Sequence, residues 1–358
     1  MRVLHLPVNN GSRASHTVRV LRQIGVDAFG LIRTRTFGQS PDELKIIDLG
    51  SKLGSRYSKR LLLFVWPWIY NFLKYVRWAD ILHWYSGAMA LPLGLDLAIV
   101  KHLGKPSIVE WQGAEIRIPE VEFADNPYYA VAVADGREYN RYENLQQSRR
   151  LQKRFRDAGF VCSAAPGMVQ HIQKDIFPNY YILPRRLILS DYQPVFPQTD
   201  VKKPIVVHAP TAPISKGTPV VLRTIEQLKP HCNFEFRLIQ GIPRSQVLQI
   251  LKKADILLDQ FVVGDFGSVS LEAMALGKPV VCYIKPTLAA QYPSDLPIVN
   301  ATQETLPNVL EELINEPELR RNLGQRGRAY VEKNHNALEV AKKLKGIYEE
   351  LLQRHQEA

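Results

Sequence analysis

Cysteine is scarce in this sequence, with three residues in a chain of 358. Cys162, Cys232 and Cys282 stand far apart, and each lies in or near an apolar stretch. Buried, reduced thiols are the simplest interpretation, and no spacing of cysteine and histidine indicates a zinc site. The cysteines therefore indicate no disulfide framework, and a cytoplasmic protein is the simplest expectation.

Long apolar runs are missing as well. No uninterrupted apolar stretch reaches the ~20 residues that a membrane-spanning helix needs, and the apolar run within MRVLHLPVNNGS is too short for a signal peptide. The sequence also has no long block of like charge and no Ser/Gly tract, so long disordered segments are not expected.

The composition is that of a globular protein with a basic excess. Hydrophobic residues make up 46% and charged residues 23%, values typical of folded domains, and 358 residues are enough for two of them. The formal net charge is +11, and most of the excess lies in the first half. Such a charge suits an anionic lipid, a phosphorylated substrate or a nucleic acid. Nucleic acid is disfavoured, because no recognition motif accompanies the charge.

Strand and helix patterns alternate along the chain. Residues 3–6 predict a strand, a turn follows at 9–12, and helical spacing begins at Thr17 and ends at Gly25. This order is how a Rossmann-like domain begins, and its repetition predicts parallel sheets covered by helices on both faces. Further strands are predicted at 80–85, 107–111, 160–162, 205–208, 234–239, 256–258 and 280–283.

Near the middle of the chain, several prolines interrupt the alternation of strands and helices. Pro184, Pro194, Pro197 and Pro204 fall within about twenty residues of little periodicity, which is typical of an interdomain linker. The expected division is an N-terminal α/β domain over 1–185, a linker over 186–203, a C-terminal α/β domain over 204–335 and an amphipathic helix over 336–358.

The segment GDFGSVSLEAMALGKP, residues 264–279, is the most informative part of the chain. Its pattern is a glycine turn after an apolar strand, then a short helix that ends at Gly277. This geometry aims backbone N–H groups and the positive end of a helix dipole at an anion. Glu272 stands about one turn further along the helix. Both features together suit a ligand that joins phosphate to a hydroxyl-bearing sugar.

Six motifs follow one another from Ile205 onward: VVHAP (206–210), SKGT (215–218), ADILLDQ (254–260), FGSVSLEAMALGKPVV (266–281), PIVNATQET (297–305) and PELRRNLGQRGRAYVEKNH (317–335). In order and spacing they resemble the group 1 glycosyltransferases, a family of retaining, nucleotide-sugar-dependent enzymes with the GT-B fold. ADILHWYSG (79–87) and VEWQGAEIR (109–117) resemble the family's first domain more loosely.

The resemblance implies two Rossmann-like domains that face each other across a cleft. It also implies that the C-terminal helix crosses back to the N-terminal domain. The donor nucleotide sugar would lie mostly on the C-terminal domain, beyond the carboxyl ends of its strands, where ligands of parallel sheets are found.

The resemblance also implies roles for individual donor-site residues. Lys216 would stabilise the charge that grows on the leaving diphosphate, although a solvated turn lysine would look the same in isolation. Glu272 would accept hydrogen bonds from the ribose hydroxyls, its alternative being a structural carboxylate. Around them the implied donor-binding residues are Ser215, Gly217, Gln240, Gly241, Ile242, Gly264, Phe266, Gly267, Ser268 and Val269.

Three departures from the family pattern affect the chemistry. Gly264 stands where the family has a sugar-facing glutamate, and Asp265 beside it is the candidate replacement. Residues 211–215, just before Lys216, contain no cation where the family often has an arginine, which leaves Arg244 or Arg117 to complete the neutralisation of the diphosphate. Gln112 occupies a frequent histidine position and cannot act as a general base. No Asp-x-Asp motif is present, so a metal-independent reaction without a cofactor is expected.

The acceptor side is less specified. Residues 52–77 combine six basic residues with many aromatic ones, which predicts either an interfacial helix on an anionic membrane or an amphipathic core helix with solvated lysines. A second basic run, 149–156, favours a solvated helix face. The residues expected on the acceptor or sugar side are Asn9, Asn10, Gly11, Ser12, Gln112, Glu115 and Arg117; for residues 9–12 an ordinary turn is the alternative.

The leading hypothesis is therefore a hexosyltransferase-type glycosyltransferase of polysaccharide or glycoconjugate biosynthesis. It would be cytoplasmic, with peripheral contact to the inner face of the membrane and a glycan, lipid-linked or other acceptor. A non-catalytic nucleotide- or sugar-binding protein on the same scaffold is one alternative, because fold alone does not settle activity. A sugar-nucleotide epimerase with the GT-B fold is another.

Overall fold

The computed structural model describes residues 1–33, 44–47 and 60–357, without the side chains of residues 60–65. Its strands are β1 (Arg2–Leu6), β2 (Asp27–Ile32), β3 (Leu44–Ile46), β4 (Ile81–Tyr85), β5 (Ser107–Trp111), β6 (Val161–Ala164), β7 (Tyr181–Ile182), β8 (Ile205–His208), β9 (Glu235–Leu238), β10 (Ile256–Leu258), β11 (Val280–Cys282) and β12 (Val299–Asn300).

Fourteen α-helices accompany these strands in the described part of the chain. They are α1 (Arg13–Gln23), α2 (Arg60–Trp78), α3 (Leu95–Leu103), α4 (Pro119–Phe123), α5 (Pro127–Ala134), α6 (Leu145–Asp157), α7 (Pro213–Lys216), α8 (Thr218–Leu228), α9 (Arg244–Lys253), α10 (Ser268–Ala275), α11 (Pro286–Ala289), α12 (Leu306–Asn315), α13 (Pro317–Asn334) and α14 (Ala337–Gln356).

The chain forms two compact units, each of which contains residues from separate stretches of sequence. The first unit comprises residues 1–117, 143–186 and 337–358, and the second comprises 118–142 and 187–336. This division differs from the sequence-based boundaries in two places, because residues 118–142 and the proline-rich stretch 187–203 belong to the second unit. No helix in the described ranges is both long and apolar enough to cross a bilayer.

The first unit is built on a seven-stranded sheet in the order β3-β2-β1-β4-β5-β6-β7. All of its neighbouring strands are parallel, as the alternation of strands and helices predicts. Trp84 of β4 packs edge-on against Phe160, and Trp111 of β5 packs edge-on against Phe155 of α6. These large side chains are fully buried and anchor α6 on one face of the sheet.

The C-terminal helix α14 returns to the first unit, as predicted, and packs against α1. The Tyr348 hydroxyl of α14 lies 2.6 Å from Nδ1 of His83 on β4. His83 Nε2 is 3.3 Å from the carboxylate of Glu110, which also receives Arg186 at 2.7 Å. The buried charges are paired, so α14 covers a hydrogen-bonded polar layer.

The second unit contains a five-stranded sheet in the order β12-β11-β10-β8-β9. Its strand pairs are also parallel, with Leu257 of β10 between Val207 of β8 and Val280 of β11. All three side chains are fully buried. Helix α10 packs on α13, which places the informative segment between the sheet and the outer helices.

Residues 118–142 are attached to the second unit by buried polar contacts. The ammonium of Lys285 lies 2.9 Å from Glu122 and 2.9 Å from Asp125, and Lys285 itself is completely buried. The Asn126 amide donates to the carbonyl of Val262 at 2.7 Å. Burying an unpaired ammonium would be costly, so these partners make α4 and α5 an integral part of this unit.

Candidate active site

Lys216 and Asp259 form the centre of the candidate site at the carboxyl ends of β8 and β10. The Lys216 ammonium lies 2.6 Å from the Asp259 carboxylate, and the two side chains are 15% and 0% exposed. Lys216 ends the short helix α7, and Gly217 turns the chain into α8 with a φ of +75°. A Cβ at position 217 would lie 3.1 Å from Phe261, so both backbone conformation and space favour glycine.

Asp259 also receives two donors from the start of α10. The N–H of Gly267 donates to Oδ2 at 2.6 Å, and the Ser270 hydroxyl donates to the same oxygen at 2.6 Å. Burial alone would raise the pKa of Asp259, but the Lys216 charge and these hydrogen bonds hold it below its usual value. An internal carboxylate therefore already accepts the hydrogen bond of the helix N–H group at position 267.

Gly267 has no room for a side chain. A Cβ there would lie 2.8 Å from the Lys216 ammonium and 2.9 Å from Asp259 Oδ2. Glycine at this position lets the helix start approach the ion pair closely. Ser268 and Val269 follow in the first turn of α10.

Glu272 lies on the same helix and pairs with Arg244. Its Oε1 accepts hydrogen bonds from Arg244 Nε at 2.9 Å and Nη2 at 2.6 Å. Arg244 Nη2 also donates to the Tyr192 hydroxyl at 2.5 Å. Burial and the charge of Glu272 raise the pKa of Tyr192 above its ordinary value. The structure thus brings Glu272, the proposed ribose carboxylate, together with Arg244, one of the two candidate arginines. Tyr192 is a further partner, which the sequence did not predict.

The loop before Lys216 is held by Glu138, a second residue that sequence reasoning missed. The Glu138 carboxylate accepts from the N–H groups of Ile214 at 2.8 Å and Ser215 at 2.9 Å, and from the Ser215 hydroxyl at 2.6 Å. Glu138 is in the segment that the sequence assigned to the first domain, more than seventy positions away. No local pattern relates these residues.

Position 264 has no space for the glutamate that the group 1 glycosyltransferases have there. Its φ is +73°, and a Cβ would lie 2.9 Å from the Cβ of Lys285 and 3.1 Å from the Asn126 amide nitrogen. The neighbouring Asp265 is 5% exposed, and its Oδ1 accepts from the Tyr292 hydroxyl at 2.6 Å and from Phe266 N–H at 2.8 Å. The glycine is therefore built into the packing of residues 118–142.

Gln240, Gly241 and Ile242 form the turn between β9 and α9, directly before Arg244. Gly241 has a φ of +67° and no atom within 4 Å of a hypothetical Cβ. On the adjacent strand, His208 Nδ1 is 2.9 Å from the Leu258 carbonyl and Nε2 is 2.9 Å from the Thr218 hydroxyl. Burial lowers the pKa of His208 to about 4, so a neutral ring joins β8, β10 and the start of α8.

The expected acceptor-side residues lie in the first unit, after β1 and β5. Asn9 is buried, and its side-chain oxygen accepts from Ser15 N–H at 3.1 Å. Asn10, Gly11 and Ser12 form a single 3-10 turn in which Gly11 and Ser12 have positive φ values.

The residues after β5 form a second turn. The Glu115 carboxylate accepts from the N–H groups of Gln112 at 2.6 Å and Gly113 at 2.9 Å. Burial raises the pKa of Glu115 despite these hydrogen bonds. Arg117 lies 3.2 Å from Glu143 within the same unit. Glu115 therefore has a clear local role in closing its own turn.

Comparisons with known proteins agree with this architecture. Residues 223–330 match the family described as glycosyl transferases group 1. No curated protein matches the chain. Among solved structures, the chain is similar to sucrose-phosphate synthase from Thermosynechococcus elongatus, with 13% identity, coverage of 99% of this chain and 100% of that one, and a TM-score of 0.65.

Two further similar structures contain nucleotide. An α-glucosyltransferase in complex with UDP shows 11% identity, coverage of 97% of this chain and 99% of that one, and a TM-score of 0.64. HepE from Anabaena, in complex with UDP and glucose, shows 12% identity, coverage of 97% and 99%, and a TM-score of 0.55. These likenesses establish a GT-B fold with two Rossmann-like units. Residues 223–330 thus match a group 1 glycosyl transferase domain, and the chain has the GT-B fold.

Proposed function

We propose that this protein transfers a sugar from a nucleoside diphosphate sugar to an acceptor, with retention of configuration and without a metal ion. The observation that carries the proposal is the juxtaposition of Lys216, Asp259 and the first turn of α10. A cation beside a helix N-terminus suits a diphosphate. Asp259 already accepts from Gly267 N–H, so the N–H groups of Ser268 and Val269 are the ones proposed for the phosphates. Glu272, one turn along the same helix, suits a diol.

In the proposed reaction Lys216 binds the diphosphate and stabilises the charge that develops on it. The Lys216 ammonium donates one hydrogen bond of 2.6 Å to Asp259, which orients it. Because an ammonium has several N–H donors, others remain for phosphate oxygens. When the bond between the anomeric carbon and the β-phosphate oxygen breaks, negative charge grows on that oxygen. A cation held in advance stabilises this charge more than the ground state and so accelerates the step.

Retention follows if the acceptor oxygen bonds to the anomeric carbon on the face that the diphosphate leaves. The acceptor hydroxyl proton then passes to the departing phosphate oxygen, so no protein base is required. Gln112, which cannot accept a proton, is compatible with this route.

The second cation near the donor is Arg244. Its side chain is 30% exposed while it pairs with Glu272, so it lies at the surface of the site. We propose that Glu272 accepts the ribose hydroxyls and that Arg244 shares the neutralisation of the diphosphate with Lys216. Two fixed cations would supply the charge that a divalent metal provides in other transferases.

A uridine nucleotide is the first donor to test, because an α-glucosyltransferase and HepE of the same fold have been solved with UDP. The turn at 240–242 would hold the base. We expect UDP to raise the midpoint of thermal unfolding in wild-type protein and to have much less effect on Lys216→Ala. Lys229→Ala is the matched control, since Lys229 pairs with Glu226 at the exposed end of α8.

The acceptor is proposed to be lipid-linked and presented at an anionic membrane. Helix α2 buries Trp68 and Phe72 but leaves Trp66 65% and Tyr70 64% exposed. It thus combines a face packed in the core with exposed aromatic side chains of the kind expected for an interfacial helix. Aromatic side chains of this kind prefer the headgroup region. Residues 52–59 of the predicted interfacial segment lie outside the described residues. Cosedimentation with anionic vesicles should weaken in Trp66→Ser/Tyr70→Ser.

Product analysis separates the competing functions. Incubation with a panel of nucleotide sugars and acceptors should give a glycosylated product by mass spectrometry. Nucleotide binding without any turnover in the panel would favour the non-catalytic protein. Conversion of the donor into an isomer without transfer would favour an epimerase.

A further inference from the structure

Three potential metal ligands of different chemistry meet on the second unit, away from the candidate active site. His231 and Cys232 lie in the connection between α8 and β9, and Glu311 lies on α12. His231 Nε2 is 3.8 Å from Glu311 Oε1, and Cys232 Sγ is 3.9 Å from the same oxygen. The three ligand atoms all lie within 4.8 Å of one another.

We propose that His231, Cys232 and Glu311 bind a zinc ion. Imidazole nitrogen, thiolate sulfur and carboxylate oxygen are the three ligand types that zinc takes in proteins. Metal–ligand distances of about 2.0–2.3 Å in a tetrahedron place neighbouring ligand atoms roughly 3.3–3.8 Å apart. The two separations from Glu311, 3.8 and 3.9 Å, lie at or just above the upper end of this range, and the third lies within 4.8 Å. Side-chain rotations would therefore close the site, with water as the fourth ligand.

The exposure of the cluster suits an ion that enters from solvent. The His231 and Glu311 side chains are 50% and 43% exposed, whereas Cys232 is 9% exposed. The sulfur therefore lies at the base and the other two ligands lie at the rim. Glu311 follows Cys232 by 79 positions, so the three ligands together form no short sequence motif.

The site is structural and separate from the reaction. It precedes the amino end of β9, whereas Lys216 follows the carboxyl end of the neighbouring strand β8. In a parallel sheet the amino ends of all strands lie at one edge and the carboxyl ends lie at the opposite edge. A bound ion would join the end of α8 to α12, two helices that already pack together. The metal-free transfer step proposed above is unaffected by it.

Protons and zinc compete for the Cys232 sulfur, so zinc binding should depend on pH. Zinc binds the thiolate, so binding must release a proton and strengthen as the pH rises. An exposed pair of histidine and carboxylate alone would not show a sulfur-dependent proton release.

The test uses full-length, untagged protein after treatment with a chelator. Zinc is titrated in competition with a chromophoric chelator, and cobalt(II) is titrated while the near-ultraviolet absorption is recorded. We expect one zinc ion per chain, a thiolate-to-cobalt charge-transfer band, and a rise in the midpoint of thermal unfolding with zinc. Cys232→Ser and His231→Ala should each weaken zinc binding by more than about tenfold.

Glu312→Gln is the matched control, since Glu312 is the exposed neighbour of Glu311 on α12. This variant should bind zinc like the wild type, and circular dichroism should show that all variants are folded. Failure of the wild type to bind zinc would overturn the proposal. So would equal affinity in Cys232→Ser, or a cobalt complex without the charge-transfer band.

Discussion

The ammonium of Lys216 and the carboxylate of Asp259 lie 2.6 Å apart at the ends of adjacent strands. Asp259 also accepts hydrogen bonds from Gly267 N–H and the Ser270 hydroxyl, so one buried carboxylate holds both the lysine and the start of α10. The position of the lysine relative to the helix is thus fixed before any ligand binds. Such preorganisation is what a charge-stabilising site requires.

Replacement of this carboxylate should be costly. We expect Asp259→Asn to lower the free energy of unfolding by about 3 to 5 kcal/mol, because a buried pair loses its anion while its donors remain. Urea denaturation measures the change. Asp157→Asn is the control, because Asp157 pairs with Lys153 at 3.6 Å on an exposed helix face, where such pairs contribute about 0 to 1 kcal/mol. Equal effects of the two substitutions would refute a special role for Asp259.

Gly264 and Gly241 offer a comparison of backbone strain with steric fit. Both have positive φ values, but only at Gly264 does a Cβ meet atoms within 3 Å. Gly241→Ala should destabilise the protein by roughly 1 to 2 kcal/mol from backbone strain alone. Gly264→Ala should cost a further 1 to 3 kcal/mol, roughly, from overpacking against Lys285. Chemical denaturation of both variants checks this, and a milder effect at position 264 would contradict the packing described.

His208 should make stability sensitive to acid. Its folded pKa of about 4 lies below the ordinary histidine pKa of 6.5, so the unfolded state binds more protons between these pH values. Its contribution is therefore fully present above pH 6.5 and is lost as the pH falls towards 4. The slope attributable to this one group is at most about 1.4 kcal/mol per pH unit.

Denaturation curves of His208→Gln at several pH values isolate that contribution. The variant should show a shallower loss of stability with acid than the wild type. His355→Gln, on the exposed end of α14, is the control and should leave the slope unchanged. An identical slope in His208→Gln would mean that folding does not lower the pKa of this ring.

Glu138 should control the local stability of the loop that carries Lys216. In Glu138→Ala the N–H groups of Ile214 and Ser215 lose their acceptor, so we expect faster hydrogen exchange at these two positions. Hydrogen exchange read by mass spectrometry measures this. Glu120→Ala, which removes an exposed carboxylate of the same segment, should leave the loop unchanged. Unchanged protection in Glu138→Ala would show that the loop is held by other contacts.

The sequence predicts the local parts of this structure well and its long-range polar contacts poorly. Strand, glycine turn and helix around Gly267 follow from periodicity and turn chemistry, and the return of α14 follows from the family resemblance. The partners of Lys285 and Ser215 do not, because Glu122 and Glu138 come from a segment far away in the sequence. Hydrophobic periodicity specifies which face is buried, but it carries no information about which buried charges meet.

The membership of residues 118–142 in the second unit has a consequence for synthesis on the ribosome. Asp125 is made 160 residues before Lys285, its partner. At roughly 5 to 20 residues per second, the synthesis of α4 and α5 precedes that of Lys285 by roughly 8 to 30 s. Folding of the nascent chain must therefore leave residues 118–142 undocked, and the first unit cannot be completed until α14 has emerged.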